Sequence, residues 1–136
     1  RHMTYTFPQK VLFKHCDPAG IVFFPRYFEM MNDCVEAFFD HIGCPFETMH
    51  EDGGVPTGKI EARFHAPSRH GDHLSLVLTG RRIGGATFDF TIETYCGTEH
   101  RMSYAATLIF IDAQGKSTPW PDDMRAALTP YILNEV

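Results

Sequence analysis

From Pro25 onward, apolar side chains return at steps of three and four: Tyr27, Met31, Cys34 and Val35, Phe38, then Ile42. Glu29, Asp33, Glu36 and Asp40 fall mostly between them, so the stretch predicts an amphipathic helix of about four turns. Pro25 suits its first turn, where no amide partner is required, and Gly43 suits its C-terminal cap. Phe28, Met30 and Phe39 widen the apolar stripe, which predicts protein on several sides of the helix.

On either side of this helix the pattern is different. Residues 5–14, YTFPQKVLFK, read as a first strand, with Pro8 pointing to an edge position or a bulge. PFETMHEDGG has room for one or two helical turns, and after it the period drops to two. Ile60, Ala62, Phe64 and Ala66 alternate with Glu61, Arg63 and His65; Phe88, Phe90, Ile92 and Cys96 alternate with Asp89, Thr91, Glu93 and Tyr95. Each set predicts a strand with one buried face. Residues 74–83 and 102–111 complete four late strands, divided by turns at SRHGD, GG, CGTEH and DAQGK. Several are about ten residues long, as expected of a sheet that curves around something, and the long apolar helix is the element to be wrapped. A short helix is predicted over residues 122–128 in the proline-punctuated tail. The class is α+β.

Length and charge narrow the function. A chain of 136 residues fits one domain; Arg1–Met3 read as a leading remnant, since a Met after His looks like a natural start, and the domain is expected over residues 4–136. The formal charge is -5 and the twelve Lys and Arg are dispersed, which argues against nucleic acid as a partner. No run approaches the roughly 18 apolar residues of a membrane span, and the N-terminus lacks the sections of a signal peptide, so no membrane association and a cytoplasmic location are expected. Cys16, Cys34, Cys44 and Cys96 match no zinc or redox spacing and are expected as reduced thiols. His70 and His73 form an HxxH, but Gly71 and Asp72 mark a solvated turn there, and no metal is expected.

The segment HCDPAGIVFFPRYFEMM concentrates the candidate chemistry. Asp-Pro-Ala-Gly is an ordinary turn sequence, so Asp17 can be a turn residue and nothing more. It can equally be a carboxylate aimed by that turn at a helix N-terminus, where unpaired amides and partial positive charge can hold an oxyanion. Residue types alone leave both readings open. Rival nucleophiles are weaker: no serine lies in a G-x-S-x-G elbow, and Cys16 and His15 are adjacent, so in an extended segment they point to opposite sides.

That segment with the helix after it, the Ala-Pro-Ser-Arg turn followed by Asp72, and the strand-rich remainder closely resemble the hotdog-fold acyl-CoA thioesterases of the 4-hydroxybenzoyl-CoA thioesterase family. The resemblance covers essentially the whole chain. It implies a hotdog fold, with a curved antiparallel sheet wrapped around one long central helix, and hydrolysis of an acyl-CoA to a carboxylic acid and free CoA without metal or organic cofactor. It implies Asp17 as nucleophile or general base and the backbone N–H of Phe24 as oxyanion donor, with Ile21 to Phe23 as further contributors. A thiolate leaving group, with a reference thiol pKa of about 8.5, departs without strong acid assistance. Val22, Phe23, Tyr27 and Phe28 are expected along the acyl pocket, with Thr57 and Gly58 from another subunit. Arg81 and Arg82, then Arg69 and Lys59, are expected to meet the CoA phosphates, for which guanidinium forks are suited. A homodimer or homotetramer with sites at subunit interfaces is implied, and it would also cover exposed strand edges.

Because a related hotdog group uses a Glu on the helix, Glu29, Asp33 and Glu36 stand in reserve. A hotdog hydratase or dehydratase would be expected to carry a His near the acidic loop, and none lies between Asp17 and His41. A non-catalytic acyl-CoA-binding module would be expected to lack the loop carboxylate that this chain keeps.

Overall fold

The computed structural model describes residues 2–133, and its elements follow the changes of period in the sequence. Helix α1 spans Phe24–His41, 18 residues, with Pro25 in its first turn and Gly43 just past its end at a φ of 87°. It buries Tyr27, Met30, Met31, Cys34, Val35, Phe38 and Phe39, the wide stripe expected from the sequence. A single turn, α2 (Phe46–Met49), follows, and α3 (Asp122–Leu128) lies over the predicted residues in the tail.

Among the described residues seven strands complete the fold: β1 (Tyr5–Lys10), β2 (Gly53–Gly54), β3 (Thr57–Phe64), β4 (His73–Ile83), β5 (Thr87–Cys96), β6 (Glu99–Ile109) and β7 (Ile111–Asp112). Five of them form one antiparallel sheet in the order β1-β4-β5-β6-β3, while β2 and β7 pair separately. Alternation decides which face is buried, because successive side chains of a strand point to opposite sides. Leu74, Leu76 and Leu78 of β4, Phe88, Phe90 and Ile92 of β5, and Met102, Tyr104 and Leu108 of β6 share one core with the buried face of α1. Phe38 sits at its centre, fully buried, with ring centroids of Phe39, Phe88, Tyr5 and Tyr131 between 5.0 and 6.2 Å away. The four cysteines are free thiols.

Pro8 stands in an edge strand, since β1 pairs with β4 alone. The first strand, however, ends at Lys10 rather than continuing through residue 14. The Leu12 amide donates to the Nδ1 of His15 at 2.9 Å instead of to a neighbouring strand, and Phe13–His15 form a 3₁₀ turn. The second departure concerns β3, whose apolar residues are not buried as the alternation suggests: Ile60 and Phe64 are 46% and 49% exposed. β3 is the opposite edge of the sheet, paired only with β6, so its apolar side chains lack a neighbour on one flank. The alternating residues do form a strand, but the position of that strand in the sheet decides its burial.

Gly80 shows a constraint of another kind. The chain after α3 returns to β4, where the Leu133 N–H donates to the Gly80 carbonyl at 2.8 Å. A Cβ on Gly80 would come 2.8 Å from the Tyr131 carbonyl oxygen, so this close approach requires glycine.

Truncating the centre of the core should be costly, because the surrounding aromatic rings can close only part of the cavity. Phe38→Ala is expected to lower the unfolding free energy by about 3–5 kcal/mol, read as a lower urea midpoint at unchanged slope.

Candidate active site

The Asp-Pro-Ala-Gly sequence folds into a small hairpin. Cys16 and Val22 pair across its base, the Asp17 N–H donates to the Ile21 carbonyl at 3.0 Å, and the Gly20 N–H donates to the Asp17 carbonyl at 2.9 Å. Gly20 has a φ of 80°, a conformation open to glycine at little steric cost. The Asp17 carboxylate, partly exposed, accepts the Ala19 N–H on Oδ1 at 2.9 Å. This is the Asx turn that the sequence suggests, and it occupies one oxygen while leaving the other for a different partner. Serving the turn and presenting a carboxylate are therefore compatible roles.

Three sets of backbone bonds hold this hairpin in place. The Phe23 N–H donates to the His15 carbonyl and the Val22 N–H to the Ser68 carbonyl, both at 2.9 Å, while Ile21 bridges to Arg69. The hairpin is thus held between the entrance of α1 and the loop that precedes β4. Phe24 is the first residue of α1, so its amide has no acceptor within the helix, and Pro25 has no amide to offer. The Arg26 N–H already donates to the Phe23 carbonyl at 2.8 Å. Asp17 and the Phe24 amide accordingly belong to one tied segment.

Beneath that segment lies a polar cluster built on two buried residues, Ser68 and Tyr27, and two partly buried ones, Asp72 and Arg101. Ser68 is fully buried and its hydroxyl oxygen accepts from the Tyr27 hydroxyl at 2.7 Å and from Arg101 Nη1 at 3.1 Å. The same Arg101 nitrogen donates to Asp72 Oδ2 at 2.8 Å, and that oxygen also accepts the Arg69 N–H at 2.9 Å. Hydrogen bonds from Arg101 and from the Arg69 backbone hold the Asp72 carboxyl below its usual value of 3.8. Burial pushes the Tyr27 hydroxyl above its ordinary value, partly offset by its bond to Ser68.

The residues predicted from the sequence fall into three places. Val22, Phe24 and Tyr27 line a groove of about 300 Å³ with Ile21, Phe64 and Ser68, and the Phe23 ring packs on Phe24 with centroids 5.7 Å apart. Phe28 and Thr57 line a larger cavity of about 590 Å³ with Asn32, His50, Ile60 and Tyr104, and Gly58 follows Thr57 along β3. Arg69 is beside the Asp17 hairpin through its bridge to Ile21. Arg81 and Lys59 instead line a depression of about 200 Å³ with Asp89, Thr91 and Thr107, while Arg82 is exposed at the irregularity of β4. The four candidate phosphate-binding cations are therefore not gathered in one place within this chain.

Among the reserve groups, Glu29 pairs with Arg26 at 2.8 Å on the exposed side of α1, and Asp33 and Glu36 line another depression with Asp40 and Glu47. The Cys16 thiol is directed at the Leu12 carbonyl, 3.6 Å away. Among the described residues no cluster of three His, Cys, Asp or Glu is arranged to hold a metal, and His70 and His73 are exposed. Ser68 and Arg101 are not among the site residues expected from the sequence. Ser68 sits in the turn already singled out, whereas nothing in the period-two pattern distinguishes Arg101 from any other polar strand residue.

The sequence profile of the thioesterase-like superfamily matches residues 11–128. A curated protein, 4-hydroxybenzoyl-CoA thioesterase from Pseudomonas sp. (strain CBS-3), is 33% identical over 75 residues, or 52% of this chain and 53% of that one. The chain thus spans about half the length of the curated relative it matches. A solved structure of a 1,4-dihydroxy-2-naphthoyl-CoA thioesterase from Synechocystis superposes with a TM-score of 0.86 at 20% identity, covering 93% of this chain and 96% of the other. A thioesterase superfamily structure from Jannaschia sp. CCS1 reaches a TM-score of 0.90 at 23% identity, covering 96% and 94% respectively. These structural likenesses establish a common hotdog fold.

The Asp72–Arg101 tie makes a prediction about pH. A carboxyl whose folded pKa is depressed adds stability that is complete above its unfolded pKa and lost as pH falls through the folded value, here below 3.8. Asp72→Asn is expected to be less stable than the wild type in urea at about pH 7, with the difference shrinking at about pH 3. A gap that stayed constant between those conditions would rule out the ionic contribution.

Proposed function

The chain belongs to the thioesterase-like superfamily, and we propose that it hydrolyses an acyl-CoA thioester to a carboxylic acid and free CoA. The observation carrying this reading is the Asp17 hairpin. It presents a partly exposed carboxylate from a turn whose base is tied to the first turn of α1. In the proposed reaction the Phe24 N–H donates to the carbonyl oxygen as it becomes an oxyanion. Asp17 either attacks the carbonyl carbon, releasing CoA thiolate and leaving a mixed anhydride for water to open, or takes the proton of an attacking water. In both routes the C–S bond breaks and the thiolate leaves.

The Pseudomonas relative is a thioesterase of 4-hydroxybenzoyl-CoA and the Synechocystis structure one of a dihydroxynaphthoyl-CoA. Both acyl groups are flat and aromatic. We extend the reading to an aryl or similarly apolar acyl group, with Val22, Phe23, Tyr27, Phe28, Thr57 and Gly58 as its surroundings and Arg81, Arg82, Arg69 and Lys59 as candidates for the CoA phosphates. The scatter of those cations along one chain fits a site completed by a second copy. Ile60 and Phe64 on the open edge of β3 are the natural surface for that copy, giving a homodimer or homotetramer. Within this reading residues 4–136 form one hotdog domain, and α1 is the central helix around which the sheet curves. A cytoplasmic location belongs to the same proposal, because four free thiols suit a reducing compartment.

Asp17→Asn separates the turn role from the chemical one. Asparagine keeps an Oδ1 to accept the Ala19 N–H but carries no charge. Thiol release from aryl, short-chain and long-chain acyl-CoAs is expected to fall by roughly 10²–10⁴-fold while the fold persists. Equal turnover by the two proteins would remove Asp17 from the mechanism, and a wild type that releases no thiol from any substrate would point to a non-catalytic acyl-CoA-binding module.

A further inference from the structure

His15 is buried, 5% exposed, two residues before Asp17, and has no part in the chemistry proposed above. Its side chain and its backbone hold opposite arms of the hairpin. Nδ1 accepts the Leu12 N–H at 2.9 Å, which fixes the incoming chain after β1. The carbonyl accepts the Phe23 N–H at 2.9 Å, which fixes the outgoing chain at the cap of α1. Cys16, the next residue, donates its N–H to the Phe13 carbonyl at 3.1 Å and bridges to Val22. The base of the hairpin therefore takes its position from the turn that the imidazole closes.

An imidazole nitrogen accepts a hydrogen bond only while it carries no proton. With Nδ1 bare and the proton on Nε2, the ring satisfies the Leu12 amide. With both nitrogens protonated, two N–H groups face each other in a buried site, and the turn must open to relieve them. Burial is the largest influence on the ring and lowers its pKa from 6.5. Lys14 and Arg26 also lower it, whereas Glu29 and Asp33 on α1 raise it.

We propose that His15 is a positioning residue whose neutral imidazole holds the Asp17 hairpin against the entrance of α1, so that protonating it withdraws Asp17 and the Phe24 amide from their working arrangement. The kinetic consequence rests on the thioesterase reading; the structural consequence does not. The sign follows from the hydrogen bond: the working arrangement is complete above the folded pKa of His15 and lost as pH falls through it. His15 then contributes to the acid limb of the kcat profile.

Two variants and one titration test this. His15→Asn places an oxygen near the position of Nδ1 that accepts and does not titrate, while His15→Leu keeps similar bulk without an acceptor. His15→Asn is expected to keep kcat within about threefold of wild type at about pH 8 and to lose the histidine contribution to the acid limb. His15→Leu is expected to lower kcat by roughly 10- to 100-fold with KM little changed. Independently of activity, the Leu12, Ala19 and Phe24 amide resonances of the wild type should shift with the midpoint of the His15 ring, and those shifts should vanish in His15→Asn. An unchanged acid limb in His15→Asn, or Ala19 and Phe24 amides that do not follow the ring, would overturn the proposal. A wild type with no thioesterase activity would overturn the reaction instead, and the amide titration would still decide the role of His15.

Discussion

The arrangement of the candidate site depends on the reach of one guanidinium. Arg101, near the start of β6, meets both Ser68 and Asp72 in the loop before β4. Hydrogen bonds in which a partner is ionised are roughly twice as strong as neutral ones, and here the alternative would be a buried serine and a carboxylate left partly unpaired. The Ser68 carbonyl then holds the Val22 amide, and Val22 closes the hairpin that presents Asp17. A carboxylate on a surface turn is in this way tied to a strand of the five-stranded sheet. Precise placement of a loop by a rigid scaffold is what acid–base or nucleophilic chemistry requires.

The same loop relates the interior to the open edge of the sheet. Tyr27 places its hydroxyl on Ser68 in the interior, while its ring lies 5.7 Å from that of Phe64 on β3. Phe24 also approaches Phe64, at 6.4 Å, and is itself more than half exposed. An apolar strip therefore runs from the start of α1 to the edge strand β3, next to the hairpin. The two edges of the sheet differ in this respect: β1 carries Pro8, which cannot donate to a further strand, whereas β3 presents Ile60 and Phe64. Such an edge is suited to contact with another apolar surface, and its continuity with the groove links assembly to substrate access in the proposed function.

How much of this was legible beforehand depended on the range of the interaction involved. The helix over Phe24–His41, the short helix at Asp122–Leu128 and the strands of the second half could be read because their signals are local: period, capping residues and turns. The early strand extends four residues too far in the linear reading because YTFPQKVLFK stays rich in aromatic and aliphatic types to its end, whereas the Leu12 amide turns to the His15 side chain and Phe13–His15 form a 3₁₀ turn. The open state of β3 was hidden for a related reason. Alternation reports that a strand has two unlike faces, but it does not report how many neighbours the strand has.

For the site, the sequence by itself determined the chemistry available: a carboxylate in an Asx turn, a glycine for the tight bend, a proline in the first turn of an apolar helix, and no elbow serine. Those features are set within a few residues of one another, so they survive in a linear reading. Only the tertiary structure decided what fixes them. Arg101 meets Ser68 and Asp72 across 33 and 29 positions of sequence, His15 clamps a hairpin through one side-chain and one backbone bond, and Arg81 and Lys59 turn out to lie in a depression apart from the groove beside Asp17. These depend on which strands become neighbours, and hydrophobic periodicity carries no information about the partner a polar side chain will find in the folded chain.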